Sequence, residues 1–273
     1  MLRKFSNSRT LKDNIILGIL TAFSAGMVNV ASVLIFFAFT SNVTGHYAII
    51  ASEIVRGNLY PVAVVFAWIF LFFLGSFTSN LIVISYNKRN AYIAHASPLI
   101  LEILCLIAVG FYGQFYYQET LVETEFLLCL MLFAMGLQNG LTASISNFAV
   151  KTTHLTGTTT DLGILTAMFT QKQYRMNENL VGKAKLLVSI TLSYVLGAVF
   201  AGYVYFYMGF GVFYVVSIFL VVVILYDFYK ISVLKYLKRT RQNRRMAISQ
   251  NNEHSKIKYP RVAEKKEKEI TTF

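Results

Sequence analysis

Residues 40–50 read TSNVTGHYAII and residues 152–162 read TTHLTGTTTDL: a knot of Ser, Thr, Asn or His closed by a Thr-Gly pair, then a short apolar run. How these two stretches are read decides the fold. Each knot offers helix-capping side chains followed by a glycine. The helical stretches that follow, 44–56 and 156–171, reach only about 20 Å at 1.5 Å per residue, short of the ~30 Å hydrocarbon core of a bilayer. A helix that starts at a polar knot and cannot cross a membrane is expected to be re-entrant.

The surroundings of the knots are those of a membrane protein. Of the 273 residues 56% are hydrophobic and only 14% charged, far from the roughly 25% charged composition of a soluble domain. Six long apolar runs lie at about 14–39, 60–85, 97–117, 126–148, 186–206 and 210–229. Cys105 and Cys129 both sit inside such runs and read as small buried hydrophobes. The net charge of +12 is concentrated at one end: from Lys230 to Phe273 there are thirteen Lys or Arg against four Glu. This placement argues against nucleic acid as a partner. It describes a polar, disordered cytoplasmic tail, in which KYLKRTRQNRR at 235–245 suits anionic lipid headgroups.

The two knots belong to a longer repeat. AGMVN at 25–29 matches MGLQN at 135–139, SNVTG at 41–45 matches THLTG at 153–157, and FLGSF at 73–77 matches VLGAV at 195–199, in the same order. If the short helices fail to cross, each copy crosses three times and the copies are inverted. If they cross, the chain has eight spans and the copies are parallel. The positive-inside rule favours the first arrangement: it leaves only Arg56 outside, whereas the second puts Lys88, Arg89 and Lys151 outside. The expected fold is therefore an all-α membrane protein of six long transmembrane helices plus two short re-entrant half-helices, in two inverted repeats. Its expected divisions are a cytoplasmic N-terminus (1–13), membrane repeat 1 (14–117), an acidic extracellular loop (118–125), membrane repeat 2 (126–229) and the basic cytoplasmic tail (230–273).

Non-helical backbone inside a bilayer must be buried in protein or line a watery cavity. Helix starts there present free N–H groups and a partial positive charge, and inverted copies would aim two of them at one point near the midplane. The candidate solute-binding residues are accordingly Ser41, Asn42, Thr44, Gly45 and His46 in the first knot, and Thr153, His154, Thr156 and Gly157 in the second. Asn29, Gln138 and Asn139 join them as mid-span carboxamides that need partners. Gly26 and Gly136 read as sites of close helix packing. Asp161 and Glu102 are candidate coupling groups, because an intramembrane carboxyl is a functional candidate by default. Competing readings are a helix-dipole acid for Asp161, an interfacial position for Glu102 and interhelical glue for the carboxamides. Glu53 and Arg56 read as a helix-end ion pair. HExxH, paired CxxC, GxSxG and phosphate-loop patterns are missing, so the sequence predicts neither a metal site, nor a cofactor, nor an enzyme.

The stretches AFSAGMVNVASVLIFFAFTSNVTGHYAI and AMGLQNGLTASISNFAVKTTHLTGTTTDLG resemble the two signature stretches of the YoaK family, bacterial inner-membrane proteins of unknown function. The resemblance covers roughly residues 14–229. It implies a bacterial plasma-membrane location and a polytopic helical fold, and no substrate. His46 departs from it, standing where Asn is expected, and the basic tail is an addition to the family core. The leading expectation is a secondary transporter or permease for a small polar or anionic solute. The alternative is a non-transporting membrane scaffold or sensor that acts through its tail.

Overall fold

The computed structural model describes residues 9–226 and 228–229. The chain divides into a unit of Met1–Asp227 and a second unit, Phe228–Phe273. The expectations for the first eight residues and for the basic tail from residue 230 fall outside the described residues.

Every regular element among the described residues is helical. α1 spans Leu11–Phe36, α2 Val43–Arg56, α3 Leu59–Phe115, α4 Leu121–Ile145, α5 Leu155–Met168, α6 Lys172–Arg175 and α7 Glu178–Met208. A 3-10 turn, Gly209–Gly211, then leads into helical residues 212–226, here α8. Four continuous helical segments are long and apolar enough to cross a membrane: Leu11–Phe36, Leu59–Phe115, Leu121–Ile145 and Glu178–Tyr226. The apolar window of α1 and that of α4 are each 61% buried, against 17% for α3, which makes α1 and α4 the inner helices. The outer face of α3 carries exposed Phe66, Phe70, Phe73, Phe77, Leu81 and Ile84, a stripe at helical spacing that suits a lipid bilayer.

Local chemistry sets the helix ends. Thr10 and Asp13 close α1 with reciprocal side-chain and backbone bonds, and Thr120 and Glu123 close α4 in the same way, 110 residues later. That second box starts the helix at Leu121, so only the first part of the expected acidic loop at 118–125 is loop. The C-terminal turns also correspond, with Phe37 and Asn147 at φ 54° and 53°. Gly57 ends α2 at φ 76°, and Glu53 holds the turn by bonding Arg56 Nη1 at 3.1 Å and Asn58 Nδ2 at 2.7 Å. The Glu53–Arg56 pair is thus a helix-end ion pair, as its spacing suggested.

Cross-links between helices give their directions. Leu11 reaches Gly182, Ser193 Oγ donates to Ile19 O at 2.7 Å, and Gly197 abuts Phe23, so α1 and α7 run parallel. Tyr60 Oη donates to Glu125 at 2.6 Å, Ser76 Oγ to Gly136 O at 3.0 Å and Ser144 Oγ to Asn80 Oδ1 at 2.7 Å, so the first limb of α3 and α4 run parallel. Non-helical dihedrals at Asn90 (φ −155°, ψ 98°) break α3. Only Tyr116–Thr120 separates its end from α4, so the second limb, 91–115, must return to the level where the first began. Phe36 at the end of α1 packs edge-on against Tyr117, beside the start of α4, at 5.8 Å, while Gln138 far along α4 reaches Thr21 in the first half of α1. α1 and α4 are therefore antiparallel.

These pairings exchange partners between the two copies seen in sequence. A Cβ on Gly26 would collide with the carbonyl oxygen of Tyr194, and one on Gly197 with that of Phe23. Likewise Gly136 faces the carbonyl of Phe72 and Gly75 that of Phe133. The four glycines are required by two equivalent backbone-to-backbone crossings, α1 on α7 and α4 on α3. Gly26 and Gly136 serve the close packing that their spacing suggested.

Candidate functional site

Asn29 and Asn139 each organise the knot that follows its helix. Asn29 Oδ1 accepts from Thr40 N at 3.1 Å, Thr40 Oγ1 at 3.4 Å and Ser41 Oγ at 3.0 Å. Asn139 Oδ1 accepts from Thr152 Oγ1 at 3.3 Å and Thr153 Oγ1 at 2.9 Å. In both places a carboxamide, buried at Asn29 and half-buried at Asn139, draws the chain back along the helix it has just left, and the short helix starts at that depth. The amide nitrogens differ. Asn29 Nδ2 donates to Tyr194 Oη at 2.8 Å, whereas Phe72 occupies the equivalent place beside Asn139 and offers no hydroxyl. Asn139 Nδ2 turns instead to its own helix, to Met135 O at 2.8 Å.

The two starts face one cavity of about 520 Å³. From the first knot it is lined by Phe39, Ser41, Asn42, Val43 and Thr44, and from the second by Lys151, Thr153, His154, Leu155 and Thr156. Asn29, Asn139, Phe72, Tyr194 and Ala143 complete the wall, and no Asp or Glu is among the described residues that line it. Asn42 Oδ1 caps α2 by accepting from Gly45 N at 3.2 Å, while α5 starts at His154 without a side-chain cap. Lys151 makes no ion pair among the described residues. The cavity therefore presents an ammonium group, two helix N-termini and neutral hydroxyl and amide groups, with aromatic rings from Phe39, Phe72 and Tyr194.

Eight of the twelve candidate binding residues meet here: Asn29, Ser41, Asn42, Thr44, Asn139, Thr153, His154 and Thr156. Gln138 lies elsewhere; it is fully buried and donates to Thr21 O at 3.2 Å and to Ser24 Oγ, joining α4 to α1. Gly45, His46 and Gly157 also lie off the central cavity. Gly157 leaves room for the His154 ring, which a Cβ there would strike. His46, the one buried residue of α2, donates from Nε2 to Phe39 O at 3.0 Å and meets the Trp68 ring edge-on at 5.4 Å.

The coupling candidates are separated from the cavity and from each other. Asp161 pairs with Lys183 at 2.8 Å, both half exposed. Glu102 is fully buried on the second limb of α3, between Leu99 and Leu106, and neither of its oxygens has a partner among the described residues. Its full burial argues against the interfacial reading.

Two further cavities adjoin the central one. The first, about 590 Å³, lies among Phe36–Phe39, Asn42, Gly45, His46, Ile49, Val65, Trp68 and the start of α4. The second, about 670 Å³, lies among Phe148, Ala149, Lys151, His154, Gly157, Thr158, Asp161, Leu187 and the start of α1. These are corresponding positions of the two copies. Phe39 and Asn42 wall both the central cavity and the first, and Lys151 and His154 both the central cavity and the second.

Residues 17–226 match the family described as Protein of unknown function (DUF1275). The chain belongs to this family. The DUF1275 match takes in both knots, both glycine crossings and the whole cavity wall, and it leaves the basic tail outside. No curated protein and no solved structure shows a significant match.

Of the seven cavity residues that sequence reasoning missed, four bring an aromatic ring or a charge: Phe39, Lys151, Phe72 and Tyr194. Each was marked by the repeat itself. Phe39 and Lys151 correspond when the knots are aligned, and Phe72 and Tyr194 each precede the matched Leu-Gly pair by two residues.

Proposed function

We propose that this DUF1275 protein is a secondary transporter or permease for a small anionic solute, which binds between the N-termini of α2 and α5. The carrying observation is that two polar knots, 112 residues apart, line one cavity that, among the described residues, holds a lysine without an ion pair and no carboxylate. In this reading the chain has two inverted repeats, each with three crossings and one half-helix. The antiparallel α1 and α4, the reversal of α3 at Asn90 and the duplicated Asn-to-knot bonds support it. Both termini would face the cytoplasm of a bacterial plasma membrane. The flanking cavities would be the vestibules on the two sides.

Glu102 is the better coupling candidate of the two, because a buried carboxyl with no hydrogen-bond partner among the described residues is destabilising, and a proton or ion step would account for its presence there. Asp161 already has a cationic partner at an exposed site.

Solute flux into sealed liposomes tests the reading. Thr44→Val and Thr156→Val are expected to abolish flux while the protein still inserts, and removal of residues 235–273 to leave it intact. Loss of cellular function only on removal of 235–273, with no flux in any form, would favour the scaffold alternative. A single cysteine at position 58, in a background without Cys105 and Cys129, tests the topology. Labelling from outside intact cells is expected, and protection there would overturn the inverted arrangement.

A further inference from the structure

The central cavity is symmetric in its frame and asymmetric in its chemistry. Ser41 answers Thr153, Val43 answers Leu155 and Thr44 answers Thr156. Positions 39 and 151 break the pattern, with a half-exposed phenylalanine on one rim and, on the other, a lysine that has no ion pair among the described residues. The helix starts break it in the same sense. α2, on the Phe39 side, has its first turn capped by Asn42, whereas α5, on the Lys151 side, has no side-chain cap. Positive potential and free N–H donors thus gather at one end of the cavity, and an aromatic surface stands at the other.

We infer that the solute is an amphipathic monocarboxylate, its carboxylate held at the Lys151 and α5 end and an apolar, preferably aromatic, body lying against Phe39 and Phe72. A single lysine matches one carboxylate. A second anionic group would have to lie against the Phe39 ring, which offers no counter-charge and displaces part of that group's hydration. A small inorganic anion would leave the aromatic end in contact with water and gain nothing from it. The inference rests on the central cavity being the solute site.

Equilibrium binding to the purified full-length chain in detergent tests it, with phenylacetate, acetate, phenylacetamide and 2-phenylethylamine as probes. Phenylacetate is expected to bind roughly tenfold more tightly than any of the other three, about 1.4 kcal/mol of preference for each. Lys151→Met should remove the advantage over phenylacetamide. Phe39→Lys, which makes the two rims alike, should reverse the preference, so that adipate outcompetes phenylacetate. Equal binding of acetate and phenylacetate by the unaltered protein would overturn the inference, as would an unchanged preference in Phe39→Lys, and the first of these requires no variant to fold. Binding is read without a sealed compartment, so it is separable from transport. Phenylacetate that binds but never crosses liposomes sinks the permease and leaves the site, whereas flux of small anions without aromatic preference does the opposite.

Discussion

The two vestibule-like cavities beside the central one occupy corresponding places, yet the first is largely aromatic and aliphatic with one acid, Glu125, and the second holds Lys151, Asp161 and Lys183. On the first side α2 buries His46 against Trp68 and lines the cavity with Ile49; on the second α5 buries Thr158 at the matching position and carries Asp161 where α2 has Ile49. What the two halves retain is the backbone frame: reciprocal capping boxes, a left-handed turn after the long helix, a carboxamide that draws the knot inward, and a glycine crossing on a helix of the other half. What differs is the chemistry of the side chains that reach the cavities. The frame answers to backbone hydrogen bonding in an apolar medium, a demand that leaves the cavity linings free to differ.

If that division is right, altering the frame in either half should cost the same, and the cost should be the largest of any single change. Gly26→Ala and Gly136→Ala each drive a methyl into a carbonyl oxygen of the crossing helix, a rigid neighbour that yields only by separating the pair. Both should lose stability at or beyond the upper end of the roughly 1–3 kcal/mol range for overpacking. Thermal unfolding in detergent is the check, and a loss confined to one of the two would break the equivalence.

A smaller, unequal effect is expected at the carboxamides. Asn29→Leu strands the buried Thr40 N–H as well as two hydroxyls and the Tyr194 phenol, and should cost about 1–3 kcal/mol for the unmet donors. Asn139→Leu frees two hydroxyls that can rotate to other acceptors, so its cost should be about 1 kcal/mol. The difference between them traces to the Thr40 N–H and, in part, to Tyr194. Tyr194→Phe, which copies Phe72, should remove one hydrogen bond worth roughly 0.5–1.5 kcal/mol, and Phe72→Tyr should return part of that to the other half by offering Asn139 a partner. Thermal midpoints of the two single variants and of the double swap would show whether the halves are exchangeable at this point.

The frame was largely legible in the sequence because it depends on residue types with narrow uses. A Thr-Gly pair after a polar run, a mid-span Asn and a glycine three residues before it have few roles in lipid, and finding them twice fixed their order. The cavity lining was less legible. Phe39 and Phe72 are two of 23 phenylalanines in a chain where nearly every apolar face is populated, so only the repeat register distinguishes them. Gln138 misled because a carboxamide next to Asn139 has the same composition but a different helical direction: one residue turns the side chain about 100°, away from the cavity and onto α1. His46 misled likewise, since it follows the knot by one residue yet sits on the face of α2 that packs on Trp68.

The smallest expected effect on stability lies at Asp161, and it separates two roles for that residue. Its bond to Lys183 joins α5 to α7 at 2.8 Å, but both side chains are about half exposed, where solvent and salt screen the pair. A double-mutant cycle on Asp161→Asn and Lys183→Met should give a coupling of about 0–1 kcal/mol that fades in high salt. The first half manages with Ile49 and no such pair, so the frame does not require it. If Asp161→Asn leaves both stability and proton-driven accumulation intact while Glu102→Gln abolishes accumulation and spares exchange, coupling belongs to the second limb of α3. Loss of accumulation in Asp161→Asn alone would instead move the coupling step to the charged vestibule, and the contrast between the two vestibules would then set the direction of transport.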